Sequence, residues 1–552
     1  MKRYILKTAA VLAIMGSASC SGWLGEESPM LNKVEDYFTG SEAALQTVTA
    51  AYVPMMWEYN NTYYSEFFIG DVVSDDALKG GQNTSDMADA YDLENFKAIA
   101  NNGLILEYYR AQYQGIARAN LAIEQISAME VGIDETFTQE YKDRLIAEAE
   151  FLRAFYYFRL VRMFGGVPEV TEPVYSSDDW IKPRATVDEI YTLITDDLES
   201  AQSKLPKKSA YAIGDLGRAT SGAAQAMLLK AYLYWGNYKE NNGLQGDADT
   251  YYEAAATWGR TFLSEQAGEY SLCPNYADNF TLDGENGPES VFEIQYMKEE
   301  TTDYGEGNGF QRGTFATILM RSRSSAFVNV GWGFNRPTQN LYDEYEEGDP
   351  RRDETILAPE DDEISNPEQE NYLGCKYVTL KRTMFDYTSR AYPEAIDNDM
   401  RSPINNIVIR LADVYLMYAE ACLDCDDMNT AKEYLEKVRA RARGSEDILP
   451  EFPDYQVPDY TNGYALHQLT DSEDDLWMAI RHERRVELAM ESHRWFDLCR
   501  WGIAKDVMDA YKANESEQVR AQMGDFITGK HELFPIPDEE IRLGHLEQNP
   551  GY

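Results

Sequence analysis

Residues 147–168 read AEAEFLRAFYYFRLVRMFGGVP, and this stretch carries the strongest fold signal in the sequence. Its apolar and aromatic residues recur at helical spacing, which predicts a helix over residues 139–163. The Gly-Gly-Val-Pro that follows is typical of a turn, because glycine and proline end helices. The stretch therefore predicts a long packed helix that leads directly into a turn.

The same spacing recurs on both sides of this helix. It predicts further helices over residues 41–59, 104–128, 186–203, 221–238, 250–265, 408–423, 429–443 and 472–501. Strand-like alternation is short and rare, and residues 290–296 are its clearest case. Several helices follow one another across short connections, as in tetratricopeptide hairpins. We therefore predict a mainly α protein on a scaffold of helical hairpins, with a few short strands.

Between residues 271 and 404 the pattern changes to glycine, proline, acidic and aromatic residues. This part includes YGEGNGF at residues 304–310 and GWGFNRP at residues 331–337. Long irregular segments in compact proteins often carry binding sites. We expect one domain over residues 30–552, with a helical frame at about 35–270 and 405–552 and a loop-rich insertion at about 271–404 that forms a ligand-binding face.

The N-terminus has the pattern of a secretory signal peptide over residues 1–19: a basic head, a short apolar run, and small residues ending at Cys20. Cys20 resembles the lipidated cysteine of a bacterial lipobox, although Ser17 stands where a large aliphatic residue is usual. Residues 20–29 would then be the lipidated cysteine and a tether. The alternative is cleavage near Ala18 and a soluble periplasmic protein.

Composition and motifs disfavour several function classes. The formal charge of -45 argues against nucleic acid and anionic membrane surfaces as partners. The sequence His482-Glu483 begins like a zinc-protease helix, but Val486 stands where the second histidine would lie. Cys422 and Cys425 form a CxxC without a second pair, which favours buried thiols over a metal site. We expect a binding protein without cofactor or metal, not an enzyme.

Two stretches combine aromatic rings with polar side chains, the mixture that a glycan site requires. They are residues 75–91 and 304–332. The predicted ligand-binding residues are Asp76, Asn83, Tyr91, Tyr304, Arg312 and Trp332. Arg312, Arg321 and Arg323 raise the narrower idea of an acidic sugar, because the planar guanidinium suits carboxylates. For each of these residues, loop packing or plain exposure is an equally good interpretation, and for the pair Asp75-Asp76 a solvated surface is the default.

Motifs in a fixed order make the sequence similar to the SusD/RagB family of nutrient-capture lipoproteins. Besides residues 147–168, they are RATVDEIY at 184–191, GRATSGAA at 217–224, ESVFEIQY at 289–296, GDPRR at 348–352, ADVYLMYAEA at 412–421, ERRVELAMESHRWFD at 483–497, LFPIP at 533–537 and QNPGY at 548–552. They span most of the chain. Departures are small: Met490 and Ser492 stand where the family more often has Phe or Gly, and Glu169 where an aliphatic residue is common.

The resemblance implies a surface-exposed, lipid-anchored protein of the outer membrane that binds a glycan. It also implies a partner, a SusC-like TonB-dependent transporter that the protein closes as a lid. A peptide ligand, as in RagB-like members, is the alternative, and a surface glycosidase is a third and weaker hypothesis.

Charged residues in the family motifs recur beside aromatic and aliphatic ones at helical spacing. They are Arg153, Glu483, Arg484, Arg485, Glu487, Arg494 and Asp497. We predict that they form ion pairs that hold helices together and take no part in catalysis.

Overall fold

A computed structural model describes residues 37–58, 65–176, 181–297, 313–324, 327–358, 376–386, 389, 391–392, 402–444 and 448–552. The longer helices are α1 (Ser41–Tyr52), α2 (Ala88–Glu94), α3 (Gly103–Ala128), α4 (Gln139–Phe164), α5 (Val187–Gln202), α6 (Ser221–Asn241), α7 (Gln245–Glu265), α8 (Leu411–Leu423), α9 (Met428–Arg443), α10 (Glu473–Leu488), α11 (Arg494–Arg500), α12 (Ala504–Asn514) and α13 (Asp538–Gly544). Shorter helices are Phe67–Gly70, Ala316–Met320, Gln339–Glu344, Pro350–Thr355 and Glu517–Arg520. The predicted mainly α class is confirmed.

Successive helices pack as antiparallel hairpins. Each of α3 to α6 packs against the helix that follows it, α7 packs against α8, and α8 against α9. Glycines allow the close approaches: a Cβ at Gly236 of α6 would lie 2.5 Å from the ring of Tyr252 in α7. Likewise, a Cβ at Gly259 would lie 2.3 Å from the ring of Tyr418 in α8. The hairpins therefore share one continuous core.

Helix α4 is the helix that residues 147–168 predict. Thr138 caps its first turn by accepting a hydrogen bond from the amide of Tyr141 at 3.2 Å. Gly165 ends it in a backbone conformation with φ 70°, which glycine adopts without strain. Gly166 then passes so close to the carbonyl of Ala185 that a Cβ would lie 2.1 Å from it. The turn thus brings the chain into contact with the residues immediately before α5.

The strands form four two-stranded antiparallel sheets. They are β1 (Ala77–Gly80), β2 (Ser290–Ile294), β3 (Phe334–Pro337), β4 (Ile356–Leu357), β5 (Val378–Thr379), β6 (Asn406–Arg410), β7 (Gln456–Asp459) and β8 (Ala465–Gln468). The pairs are β1 with β3, β2 with β6, β4 with β5, and β7 with β8. The predicted strand at 290–296 is confirmed as β2.

Several predicted helix boundaries are wrong: the helix predicted over 221–238 ends at Asn241, and the one predicted over 250–265 begins at Gln245. The helix predicted over 408–423 begins at Leu411, because the residues before it pair with β2 as β6. The helix predicted over 472–501 is two helices, α10 and α11, separated by a bend at which Met490 and Ser492 have φ of 62° and 68°. The first helix, predicted over 41–59, is α-helical only to Tyr52, where a short 3₁₀ turn containing Pro54 follows.

The predicted ion pairs between helices are present and buried. Arg153 of α4 donates two hydrogen bonds of 2.7 Å to Asp197 of α5. Arg484 donates to Asp413 at 2.9 Å and lies 3.1 Å from Asp497. Glu483 and Glu487 pair with Arg351, and Arg485 and Arg494 pair with Asp75. Removing one partner of such a buried pair is strongly destabilising.

The pair Asp75-Asp76 is not on a solvated surface, so that default interpretation is wrong. Both side chains are buried. Arg485 donates to Asp76 at 2.9 Å, and Arg494 donates to Asp75 at 2.8 Å. The two aspartates anchor the start of β1 to α10 and α11.

None of the helices formed by the described residues is long and apolar enough to cross a bilayer.

Candidate functional site

The pairing of β1 with β3 brings the two predicted ligand-binding stretches together. Gly80 lies opposite Phe334, and the amide of Gly81 donates to the carbonyl of Gly333 at 2.9 Å. Residues 81–87, which follow β1, therefore meet residues 327–333, which precede β3, at Gly81 and Gly333. We call these two segments the loop face.

Glycines make this approach possible. Gly80 and Gly81 have φ of 74° and 77°, in the left-handed region that favours glycine. A Cβ at Gly80 would lie 2.1 Å from the carbonyl oxygen of Gly333. The two segments can pack this closely only because Gly80 has no side chain.

Local hydrogen bonds fix the shape of the first segment. The side-chain oxygen of Asn83 accepts from the amides of Ser85 and Asp86, both at 3.0 Å. The carboxylate of Asp86 accepts from the amide of Gln82 at 2.7 Å. From below, the buried ammonium of Lys79 donates to the carbonyl of Asp86 at 2.6 Å. The segment is thus an ordered turn whose outer residues, from Gln82 to Ser85, are exposed.

The second segment supplies the apolar part of the loop face. Trp332 is partly exposed and packs against the main core. Val328 and Val330 stand 57% and 40% exposed. Arg323 joins the two segments: its Nη1 donates to the carbonyl of Trp332 at 2.9 Å and lies 3.9 Å from the carboxylate of Asp86. The second segment thus carries Trp332 next to the Gly81–Gly333 contact and two exposed valines a few residues earlier in the chain.

The structure separates the predicted ligand-binding residues. Asn83 and Trp332 lie on the loop face. Tyr91 is half-buried and packs with Leu78 and Val519 in a small separate cluster. Tyr304, Arg312 and Cys20 lie outside the described residues.

Asp76 is a correction to the predicted site. It is only 1% exposed, and its carboxylate is paired with Arg485, so it contributes to the core and not to a ligand surface.

Two of the three arginines proposed to select an acidic sugar, Arg321 and Arg323, are engaged by other groups, and Arg312 lies outside the described residues. Arg321 is 3% exposed and lies over the ring of Tyr392, with 5.1 Å between its Cζ and the ring centroid. Arg323 is bound to the carbonyl of Trp332. The described part of the loop face therefore offers no free pair of guanidinium groups for a carboxylate.

Sequence reasoning missed Gln82, Val328 and Val330 as parts of this surface. Nothing in the sequence around Val328 and Val330 indicates that these two valines are exposed. The glycines of Gly80-Gly81 and of Gly331-Trp332-Gly333 were the available signal, because each pair marks a turn.

With this fold and loop face described, comparison with known proteins identifies the family. The sequence matches the family described as "SusD family" over residues 288–552. It matches a second description, "Starch-binding associating with outer membrane", over residues 22–233. The chain belongs to the SusD family.

Individual relatives are similar to this chain over nearly its whole length. SusD-like protein P25 of Formosa agariphila is 25% identical, over 97% of this chain and 95% of its own. A structure titled "Laminarin binding SusD-like protein" is 27% identical with a TM-score of 0.72, covering 93% of this chain and 99% of its own. Surface glycan-binding protein A from Bacteroides fluxus is 25% identical with a TM-score of 0.74, covering 93% of this chain and 100% of its own.

Proposed function

We propose that this protein binds a glycan on its loop face and passes it to a SusC-like TonB-dependent outer-membrane transporter, which it closes as a lid. The observation that carries the proposal is that the partly exposed Trp332 precedes Gly333, whose carbonyl bonds the start of an ordered polar turn. A flat aromatic ring can stack on the C–H face of a sugar, while neighbouring polar groups bond its hydroxyls. The laminarin and glycan ligands named for two similar structures support the same class.

In this proposal the protein binds without catalysis and without a cofactor, and a lipid on Cys20 holds it at the cell surface. Replacing Cys20 by Ser would then release the protein from the membrane fraction, because the variant has no thiol to carry the lipid. Retention of the Cys20→Ser variant in that fraction would contradict the lipid anchor.

Calorimetric titration of the full chain against laminarin, starch and a peptide digest tests the ligand class. We expect heat with a glycan, and a roughly tenfold loss of affinity in Trp332→Ala, equivalent to about 1.4 kcal/mol. Trp332→Phe keeps a ring and should retain most of the affinity. Trp258→Ala is the matched control, since Trp258 is also partly exposed but lies on α7 of the frame.

Heat with peptides and none with any glycan would overturn the glycan proposal in favour of peptide capture. Release of shorter sugars during the titration would contradict binding without catalysis. For the transporter, co-purification of a TonB-dependent barrel with the full chain in mild detergent is the expected result.

A further inference from the structure

A cleft away from the loop face has the features of a second binding site. It lies between the end of β7 and the first turns of α10, and its volume is about 300 Å³. That is the lower end of the range for small-molecule sites. Its walls include Asp459, Asp474, Trp477 and Arg481. A chain of buried contacts, from Tyr460 through Glu344 and Arg485 to Asp76, separates it from β1.

Arg481 packs against two rings but has no hydrogen-bond partner among the described residues. Its guanidinium lies over Trp477 and Trp501, with 5.0 and 5.4 Å from Cζ to the two ring centroids. Its Nε is buried, and no acceptor in the described part of the chain bonds it. Cation–π contacts of this kind fix the planar fork and leave its N–H donors unused.

The lack of a hydrogen-bond partner distinguishes Arg481 from Arg484, its neighbour on α10. Burial alone opposes the charge of Arg484, yet Asp497 and Asp413 raise its pKa above the ordinary value. Burial lowers the pKa of Arg481, and the nearby carboxylates of Glu420 and Asp424, which raise it, do not compensate. Since the sequence has 95 acidic residues against 50 basic ones, a partly buried arginine that donates to none of the described carboxylates suggests a different acceptor.

The charges around the cleft indicate the class of ligand. The carboxylates of Asp459 and Asp474 lie on its walls, so an anion would be repelled. A neutral sugar fits better, because each hydroxyl can accept from the Arg481 fork and donate to a carboxylate. The half-buried ring of Trp477 adds an apolar surface to the same wall. Leu466, which is 68% exposed, lies opposite the wall residue Pro458 in the β7–β8 pair.

We propose that this cleft is a second carbohydrate-binding site, which holds one or two neutral sugar rings by Arg481, Trp477, Asp459 and Asp474. The proposal rests on the glycan-binding function proposed above. Two separated sites on one protein would bind one long glycan more tightly than either site alone, through effective concentration.

The test titrates the full chain with laminarin, its hexasaccharide and starch, in the native protein and in Trp332→Ala. We expect the weak heat that remains in Trp332→Ala to disappear when Trp477→Ala is added. In the native background, Trp477→Ala and Arg481→Gln should each weaken polymer binding about tenfold. Trp477→Phe should bind like the native protein, and unchanged circular dichroism would exclude unfolding.

Native affinity for every probe in both Trp477→Ala and Arg481→Gln, together with loss in Trp332→Ala, would overturn the second site and leave the proposed function intact. Absence of heat with every glycan in the native protein would overturn both. The two failures are therefore distinguishable.

Discussion

Stability should fall with rising pH because of His482, which lies 1% exposed between two glutamates. Its Nδ1 bonds Glu344 at 2.7 Å, and its Nε2 lies 3.4 Å from Glu346. Burial by itself lowers the pKa of His482, but the two glutamates outweigh it and raise the pKa to about 9. The imidazolium therefore bridges α10 to the Glu344–Glu346 segment, where the sequence pattern had suggested only a failed zinc ligand.

The magnitude follows from linkage. A histidine in the unfolded chain has a pKa of about 6.5, so the folded protein holds its proton over roughly 2.5 further pH units. At about 1.36 kcal/mol per unit, the bridge contributes about 3 kcal/mol. Because the folded pKa is the higher one, this contribution is fully present below pH 6.5 and is lost as the pH rises through 9.

Urea unfolding, followed by circular dichroism at pH 6, 7.5 and 9.5, measures the effect. The difference in free energy of unfolding between the native protein and His482→Gln should shrink by about 3 kcal/mol from pH 6 to 9.5. His467→Gln, which removes a partly exposed histidine bonded to Asp475, is the control and should change little. A difference that stays constant across this pH range would refute the protonated bridge.

Three further predictions concern the core and the loop face. Ser492→Gly should raise the free energy of unfolding by about 0.5–1 kcal/mol in urea, because Ser492 has φ 68°; Ser492→Ala should give no gain. Burial and Asp76 raise the pKa of Asp71 to about 7, so its ionisation opposes folding, and the native protein should lose up to about 4 kcal/mol of stability as the pH rises from 4 to 7. Asp71→Asn should abolish this loss. A variant whose stability depends on pH as in the native protein would contradict the prediction. Gly80→Ala should cost about 2 kcal/mol or more and weaken glycan binding; Gly132→Ala, at φ 83° with nothing within 4 Å, measures the backbone contribution alone.

The parts of the fold that sequence predicts well are those stabilised locally. Helix α4 has a cap, a helical pattern and a glycine stop within one stretch, so its bounds differ from the prediction by a single residue. The bend between α10 and α11 was missed, because it depends on a distant contact. There the amide of Ser492 donates to Asp71, 421 positions away, and a Cβ at Gly70 would lie 2.2 Å from the Ser492 carbonyl.

The candidate site also has parts that the sequence predicts and parts that it does not. Glycine pairs predict the turns of the loop face, but its assembly depends on β1 and β3, two strands of four residues separated by more than 250 positions. Strand β1 is buried at all four positions, so it shows no alternation that would reveal it. The burial of Asp76 could not be predicted either, since its partner Arg485 lies 409 positions away.

The buried arginines also affect which ligands can approach. Arg153, Arg410, Arg484 and Arg485 are each buried against at least one carboxylate, so these cations do not offset the acids on the surface. The surface is therefore poorer in positive charge than the ratio of 50 basic to 95 acidic residues suggests. Such a surface repels polyanions within the screening distance of about 8 Å at physiological salt, whereas a neutral polymer approaches without this penalty. Together with the bonded state of Arg323 at the loop face and the carboxylates beside Arg481 in the cleft, this charge distribution favours neutral glycans at both proposed sites.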